Sequence, residues 1–288
     1  VKKYEWMTDV HLDHLERSGG IDHVKNDFVR QIGKDVDGIM ITGDISLGSD
    51  IVRHLEIIDS IVDKPVYFVL GNHDFYKGSF QDTRQAVIDC ATSSKNLNYM
   101  TSKSFISLTN DTAIVGHDGW YDGYHGDAIS SPYIMSDWLQ IAEYINAGAL
   151  HKFPSQIPTQ FYVRPNFGII LGISRQQAMN AAQHVLDSAT LAAKTHKSVF
   201  IMTHVPPFLD LYIRKPTDGE VSAAPWYTSK FMGEAIIEIA NLHPDVRFDV
   251  FCGHTHQKKD VQISNNVFGH VGPSAYGSPQ CAGIIIAN

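Results

Sequence analysis

Short, uninterrupted apolar runs alternate with segments of helical spacing along most of this chain. Residues 38–42, 66–70, 198–202 and 248–252 are dominated by Ile, Val, Met and Phe, with little polar interruption. Runs of this length and β-branched or aromatic character predict strands buried on both faces. A shorter strand is expected at residues 3–8. Val24, Phe28 and Ile32 within 21–34, and Ile51, Leu55, Ile58 and Val62 further on, fall at helical intervals. Strand, helix, strand, helix, strand in this order implies βαβ units and a parallel sheet at the centre. Further helices are expected at 80–95, 134–147 and 230–242. A long one is expected behind Ser174 and Gln177, a capping-box pair, with Ala178, Ala182, Val185, Ala189 and Ala192 on one face. Residues 104–108 and 112–115, joined by Thr109-Asn110-Asp111, predict a hairpin, and short strands near 259–264, 266–271 and 283–286 close the chain.

The segment 117–170 breaks this rhythm. It is rich in aromatics, Trp120, Tyr121, Tyr124, Tyr133 and Trp138 among them, and is longer than an ordinary connection. It reads as an insertion whose rings either form a small core or stack on a planar ligand, and core is the preferred reading. Without repeats, low-complexity tracts or linkers, residues 1–288 are expected to form one domain.

Composition places the chain among soluble globular proteins, with 43% hydrophobic and 19% charged residues. A net charge of −8 with no run of Lys and Arg argues against nucleic acid as a partner. No stretch approaches the roughly 18 apolar residues of a membrane span, and the first residues lack a signal-peptide pattern. Cys90, Cys252 and Cys281 are scattered, which points to reduced thiols and a cytoplasmic location.

The chemistry sits where the strands end. Asp9 and His11 follow the first strand, Asp44 the second, Asn72 and His73 the third, His204 the one at 198–202, and His254 and His256 the one at 248–252. Ligands in open α/β sheets bind outside the carboxyl ends of the strands. Asp9 and His11, two apart in extended chain, point to the same side. Imidazole, carboxylate and amide donors without thiolate suit Mn, Fe, Zn or Ni. The candidates are too many for one tetrahedral ion and about right for two, and paired ions roughly 3.5–4 Å apart form the clamp used in phosphoryl transfer.

Asp-x-His, Gly-Asp, Gly-Asn-His-Asp, a lone His and Gly-His-x-His stand here in that order from residue 9 to residue 256. The set resembles the calcineurin-like metallophosphoesterase superfamily. That resemblance implies a four-layer α/β/β/α sandwich of two mixed sheets flanked by helices. It also implies two divalent or trivalent metal ions. Asp9, His11 and His256 would hold the first, Asn72, His204 and His254 the second, and Asp44 would bridge them. A hydroxide between the ions would attack phosphorus in line, and His73 would protonate the leaving oxygen. Asp74 could orient a neighbouring group. The protein Ser/Thr phosphatases of the superfamily carry Gly-Asp-x-x-Asp-Arg-Gly. Here Gly43-Asp44-Ile45-Ser46-Leu47-Gly48 lacks the Asp-Arg-Gly, and Phe75-Tyr76-Lys77 stands where their Arg would be. Thr8-Asp9-Val10-His11 and Thr203-His204-Val205-Pro206-Pro207 are closer to the bacterial phosphodiesterase-like branch. The expected activity is therefore hydrolysis of a small phosphodiester or nucleotide. A phosphomonoesterase or protein phosphatase, a nuclease of the DNA-repair branch and a non-catalytic metal-binding scaffold are the alternatives.

Other polar residues have plainer readings. His117-Asp118 follows a strand and is a candidate for the site rim. His125 and Asp127 are expected in a turn. Arg164, Arg175, Arg214 and Lys215 could meet a phosphate, with solvated surface as the default.

Overall fold

The computed structural model describes residues 1–154, 161–212 and 223–288. In chain order the strands are β1 (Lys2–Met7), β2 (Gly38–Thr42), β3 (Val66–Val69), β4 (Leu97–Tyr99), β5 (Ile106–Ser107), β6 (Thr112–Gly116), β7 (Leu150–Pro154), β8 (Phe161–Pro165), β9 (Ser198–Met202), β10 (Arg247–Cys252), β11 (Lys259–Gln262), β12 (Val267–Val271) and β13 (Cys281–Ala287). The α-helices are α1 (Leu12–Asp22), α2 (Ile51–Ile61), α3 (Phe80–Ser93), α4 (Asp137–Gln140), α5 (Ala142–Asn146), α6 (Phe167–Ala193), α7 (Ala224–Tyr227) and α8 (Lys230–Leu242).

Two mixed sheets carry the architecture. One has the order β13-β1-β2-β3-β4, and the other β11-β12-β10-β9-β6-β5. In the first, β1 to β4 run parallel and step outward in one direction, with β13 antiparallel at the edge. Right-handed crossovers stepping one way leave all their helices on one face. The other face is then free to pack on the second sheet.

Side-chain alternation along each strand divides the cores accordingly. Ile39, Ile41, Val66 and Phe68 face α1, α2 and α3 in one cluster, with Leu55, Ile58 and Val87. Tyr4, Trp6, Met40, Tyr67 and Val69 face the opposite way and meet Ile114, Phe200, Met202 and Phe251 of the second sheet. The outer face of that sheet packs Val199, Ile201, Phe248 and Val250 against Ala181, Val185, Ala189, Ile236 and Ile239 of α6 and α8. The result is the four-layer sandwich that the resemblance implied.

Several local expectations shift. The helix over 21–34 starts earlier, at Leu12, is interrupted at Gly20 and continues as a π-helical stretch over His23–Val29. Val24 and Phe28 are still buried. The Ser174/Gln177 cap is incorrect. α6 begins at Phe167, where the Asn166 side chain accepts a hydrogen bond from the Ile169 N–H. Ser174 lies inside the helix, buried, and its hydroxyl pairs with the Tyr144 hydroxyl at 2.7 Å. Burial of Ile170 and Leu171 in the helix-side core extends the helix backward. The helix over 134–147 is split at Ile141, whose backbone is extended. There the insertion is stitched to the loop beyond β3, through Lys77 N–H to Gln140 O at 2.8 Å and Ala142 N–H to Gly78 O at 2.9 Å. β4 is a strand that the pattern did not predict. Trp120, Tyr121, Trp138 and Tyr144 of the insertion are fully buried, but they join the helix-side core with Leu55 and Phe75 and do not form a small core of their own, and Tyr133 is half-exposed. Arg214 and Lys215 lie outside the described residues.

Candidate metal centre

Both sheets have parallel centres, and their carboxyl ends meet along one edge. Loops following β1, β2, β3, β9 and β10 therefore deliver their side chains to one place. Backbone hydrogen bonds lock these loops together: Asp9 N–H to Gly43 O, His11 N–H to Asp44 O and Gly253 N–H to His204 O, each at 3.0 Å. The two sheets are joined directly by His254 N–H, which donates to Asp9 Oδ1 at 3.0 Å.

The backbone is strained where it enters the cluster. Among the described residues, the non-glycine residues with positive φ include Asp9, His11, Asp44, His254 and His256, at 48°, 43°, 50°, 67° and 57°. Such conformations cost about 1–3 kcal/mol each and persist where surrounding structure over-determines them. The motif glycines are required by close approach. A Cβ on Gly71 would lie 2.1 Å from Asp44 Oδ1, and one on Gly253 2.1 Å from Asp9 Oδ2.

Two donor sets result, and they share one oxygen. Asp9, His11, Asp44 and His256 each offer an atom within 4.8 Å of the others. His256 Nε2 is 3.2 Å from Asp9 Oδ1, and His11 Nε2 is 3.5 Å from His256 Nε2. On the other side, Asn72 Oδ1 lies 3.2 Å from His204 Nε2 and 3.1 Å from His254 Nδ1. Asp44 Oδ2 faces both sets, 3.8 Å from His11 Nε2 and 3.4 Å from His204 Nε2. Its other oxygen is taken by the His73 N–H at 2.9 Å.

These groups present lone pairs to one another. His204 Nδ1 donates to the Thr42 carbonyl at 2.9 Å, so Nε2 carries the lone pair. The Trp226 carbonyl lies 3.3 Å from His254 Nε2 and takes that proton, turning the Nδ1 lone pair inward. Converging lone pairs repel unless a cation sits among them, and donor pairs 3.1–3.5 Å apart match the edges of a coordination shell with bonds of about 2.0–2.2 Å. Metal ions therefore fit. The titration behaviour agrees. Burial pushes the His11 imidazolium down to about 4 and that of His254 down to about 3, keeping both neutral. Burial also opposes charge on His204, but the Asp44 and Asp9 carboxylates outweigh it and push its pKa up to about 10.

The family profile of the calcineurin-like phosphoesterases matches residues 6–258. The chain belongs to that family. It is accordingly a metal-dependent phosphoester hydrolase. A phosphopantetheinyl hydrolase from Mycobacterium tuberculosis shares the fold at a TM-score of 0.59 and 12% identity, over 96% of this chain and 90% of that one. A dimetal phosphatase from Danio rerio does so at 0.53 and 18%, over 97% and 89%. No curated protein matches at the sequence level.

Around this phosphoesterase's cluster lie residues whose part the sequence did not reveal. Asp137 of the insertion is fully buried and accepts from Asn72 Nδ2, Tyr76 Oη and Tyr121 Oη at 2.8, 2.8 and 3.0 Å. Because it engages Nδ2, Asp137 turns Asn72 Oδ1 toward His204 and His254. Burial raises its pKa despite those hydrogen bonds. Tyr276 is half-exposed, and its ring centroid lies 4.5 Å from that of His11 and 5.0 Å from that of His256. Nothing in the spacing of Tyr276 marked it.

Asp74 is buried and accepts from the Ile45, Ser46 and Gly71 N–H groups at 3.2, 2.7 and 2.8 Å. It thus ties the loop after β2 to the loop after β3. Asp118 lies behind the cluster, not at its rim. It accepts from Leu70 N–H, Tyr99 Oη and Arg84 Nε, while its carbonyl holds His204 N–H at 3.0 Å. His125 Nδ1 meets Thr228 Oγ1, and Asp127 accepts from the Ile129 and Ser130 N–H groups, a turn.

Proposed function

We propose that this phosphoesterase hydrolyses a small phosphodiester or nucleotide at a dinuclear centre. Asp9, His11 and His256 would hold one ion, Asn72, His204 and His254 the other, and Asp44 both. The observation that carries the reading is Asp44 Oδ2, a single carboxylate oxygen facing both donor sets at 3.8 and 3.4 Å. Mn, Fe, Zn or Ni suits these donors. Bound cations supply Lewis-acid polarisation of phosphoryl oxygens and a water acidified toward neutrality.

The chain's own residues do the rest. Asp9 and Asp44 supply negative charge. Burial alone would raise the pKa of each, but the facing imidazoles outweigh it and hold both ionised. His73 is oriented by its N–H bond to Asp44, and its ring centroid lies 4.8 Å from that of His11 and 4.5 Å from that of Tyr76. Its ring lines a cavity of about 440 Å³ beside the cluster. From there it can donate a proton to the departing ester oxygen. The three cysteines are unpaired, which supports a reducing, cytoplasmic setting.

Paired chromogenic mono- and diesters, assayed with Mn added after chelation, test this reading. Asp44→Asn should lose metal and turnover together, and full activity in that variant would sink the assignment. His73→Gln should keep its metal and slow the esters with poor leaving groups most. An unchanged rate on those esters counts against His73 as the acid.

A further inference from the structure

Two cavities of different chemistry flank the cluster. One, of about 380 Å³, lies against His254 and His256 and is walled by Tyr133, Tyr212, Tyr227 and Tyr276, with Gln257 at its side. Among its described lining residues there is no Lys or Arg. The other, on the His73 side, is lined by charge of both signs: Asp13, His14, Glu16, Arg17, Asp50 and Lys77.

Four of the nine described residues lining this cavity are tyrosines. Tyr276 is 53% exposed and Tyr133 39%, unusual for aromatics, while Tyr212 is buried at 7%. The Tyr227 ring lies 4.8 Å from that of His254 at a 36° tilt, and Tyr212 backs it at 6.2 Å. This wall leads directly from the donors of both sets. A planar ring entering it can stack on these tyrosines, whereas the described lining offers an anionic tail no Lys or Arg. The volume is ample for one nucleobase and its sugar.

We infer that the tyrosine cavity binds a nucleobase, or an equivalent neutral aromatic ring, on the substituent that the substrate keeps. The inference rests on the proposed function, because it is His73 as general acid that assigns the sides. His73 lines the charged cavity, so the leaving alcohol goes there. The P–O bond to that alcohol breaks, its electron pair departs on the alcohol oxygen, and the His73 proton follows it. Water supplies the new oxygen on phosphorus, and its released proton restores His73. The products are a nucleoside monophosphate and a polar alcohol, so the substrate is a diester with one aromatic arm.

Two diesters with a common leaving group separate this inference from the reading beneath it. Thymidine 5′-(p-nitrophenyl phosphate) and methyl p-nitrophenyl phosphate both release p-nitrophenolate. The metal-loaded wild type should prefer the thymidine ester by about tenfold or more in kcat/KM, the factor that a stacked base contributes, carried mainly in KM. Tyr133→Ala and Tyr276→Leu change half-exposed side chains, and each should cut that ratio by roughly fivefold as one stacking partner is lost. A ratio near one in the wild type, with the methyl ester turned over, overturns the aromatic subsite and leaves the phosphodiesterase reading standing. Turnover of neither ester with metal bound overturns both. Saturation-transfer NMR of thymidine 5′-monophosphate gives a readout without turnover. Base protons should saturate more strongly than ribose protons, and equal saturation counts against the aromatic subsite.

Discussion

Replacing Asp137 by Ala would separate orientation of Asn72 from mere support of the fold. The carboxylate accepts three buried donors, the Asn72 amide, the Tyr76 hydroxyl and the Tyr121 hydroxyl. After substitution the Asn72 amide keeps one partner, Tyr76 Oη at 2.9 Å. Tyr121 keeps the Trp138 Nε1–H as a donor at 3.0 Å but loses the acceptor for its own proton. Two phenol protons are then stranded, at about 1–3 kcal/mol each. Removing a carboxylate whose burial raises its pKa returns part of that cost. A net loss of about 2–4 kcal/mol of stability is expected. The Asn72 amide is also free to flip, presenting NH2 to His204 and His254. Loss of such an orienting partner lowers metal affinity about 10–100-fold. Tyr121→Phe is the control. It removes two hydrogen bonds, one to the same carboxylate and one from the Trp138 Nε1–H, without touching Asn72, so stability should fall by about 2–4 kcal/mol with metal affinity retained. Urea unfolding and calorimetric Mn titration measure the two quantities. If Asp137→Ala binds its second metal as tightly as the wild type while losing stability, Asp137 is a packing residue and the orientation argument is wrong.

Gly71→Ala places a methyl 2.1 Å from Asp44 Oδ1 and 2.5 Å from Asp44 N. The backbone nitrogen cannot rotate away, so stability should fall by about 1–3 kcal/mol and metal content should fall with it, as elemental analysis would show. Remote from the cluster, His270 sits between Asp260 Oδ1 at 2.7 Å and Asp249 Oδ1 at 3.2 Å. Burial opposes its charge, but those two carboxylates outweigh it and raise its pKa above the ordinary 6.5. A raised folded pKa gives stability that is full below the unfolded value and is lost as pH rises through the folded one. The stability advantage of the wild type over His270→Gln should therefore be largest below about pH 6.5 and shrink above it. A pH-independent difference in urea unfolding would refute the pairing.

The apolar runs at residues 38–42, 66–70, 198–202 and 248–252 specified their strands because every position in them but Ser198 is buried, and α8 matched its expected span because its apolar spacing is regular over Lys230–Leu242. The Asp, Asn and His residues beyond those runs were also legible, since a polar group directly after a buried parallel strand lies at the carboxyl edge of the sheet. Local spacing reports only neighbours within a turn or two of chain. It therefore mistook Ser174 for a cap, because the apolar surface that lengthens α6 belongs to another layer. It left His117-Asp118 as a candidate for the rim, because the donors that draw Asp118 inward, Leu70, Arg84 and Tyr99, lie on other elements. The pairing of Asp137 with Asn72 spans 65 residues, and that of His254 with Asp9 spans 245. Sequence alone determined which Asp, Asn and His side chains stand at the strand ends. The packing of one sheet on the other brought them together, and the insertion's burial against the loop after β3 turned the Asn72 amide inward.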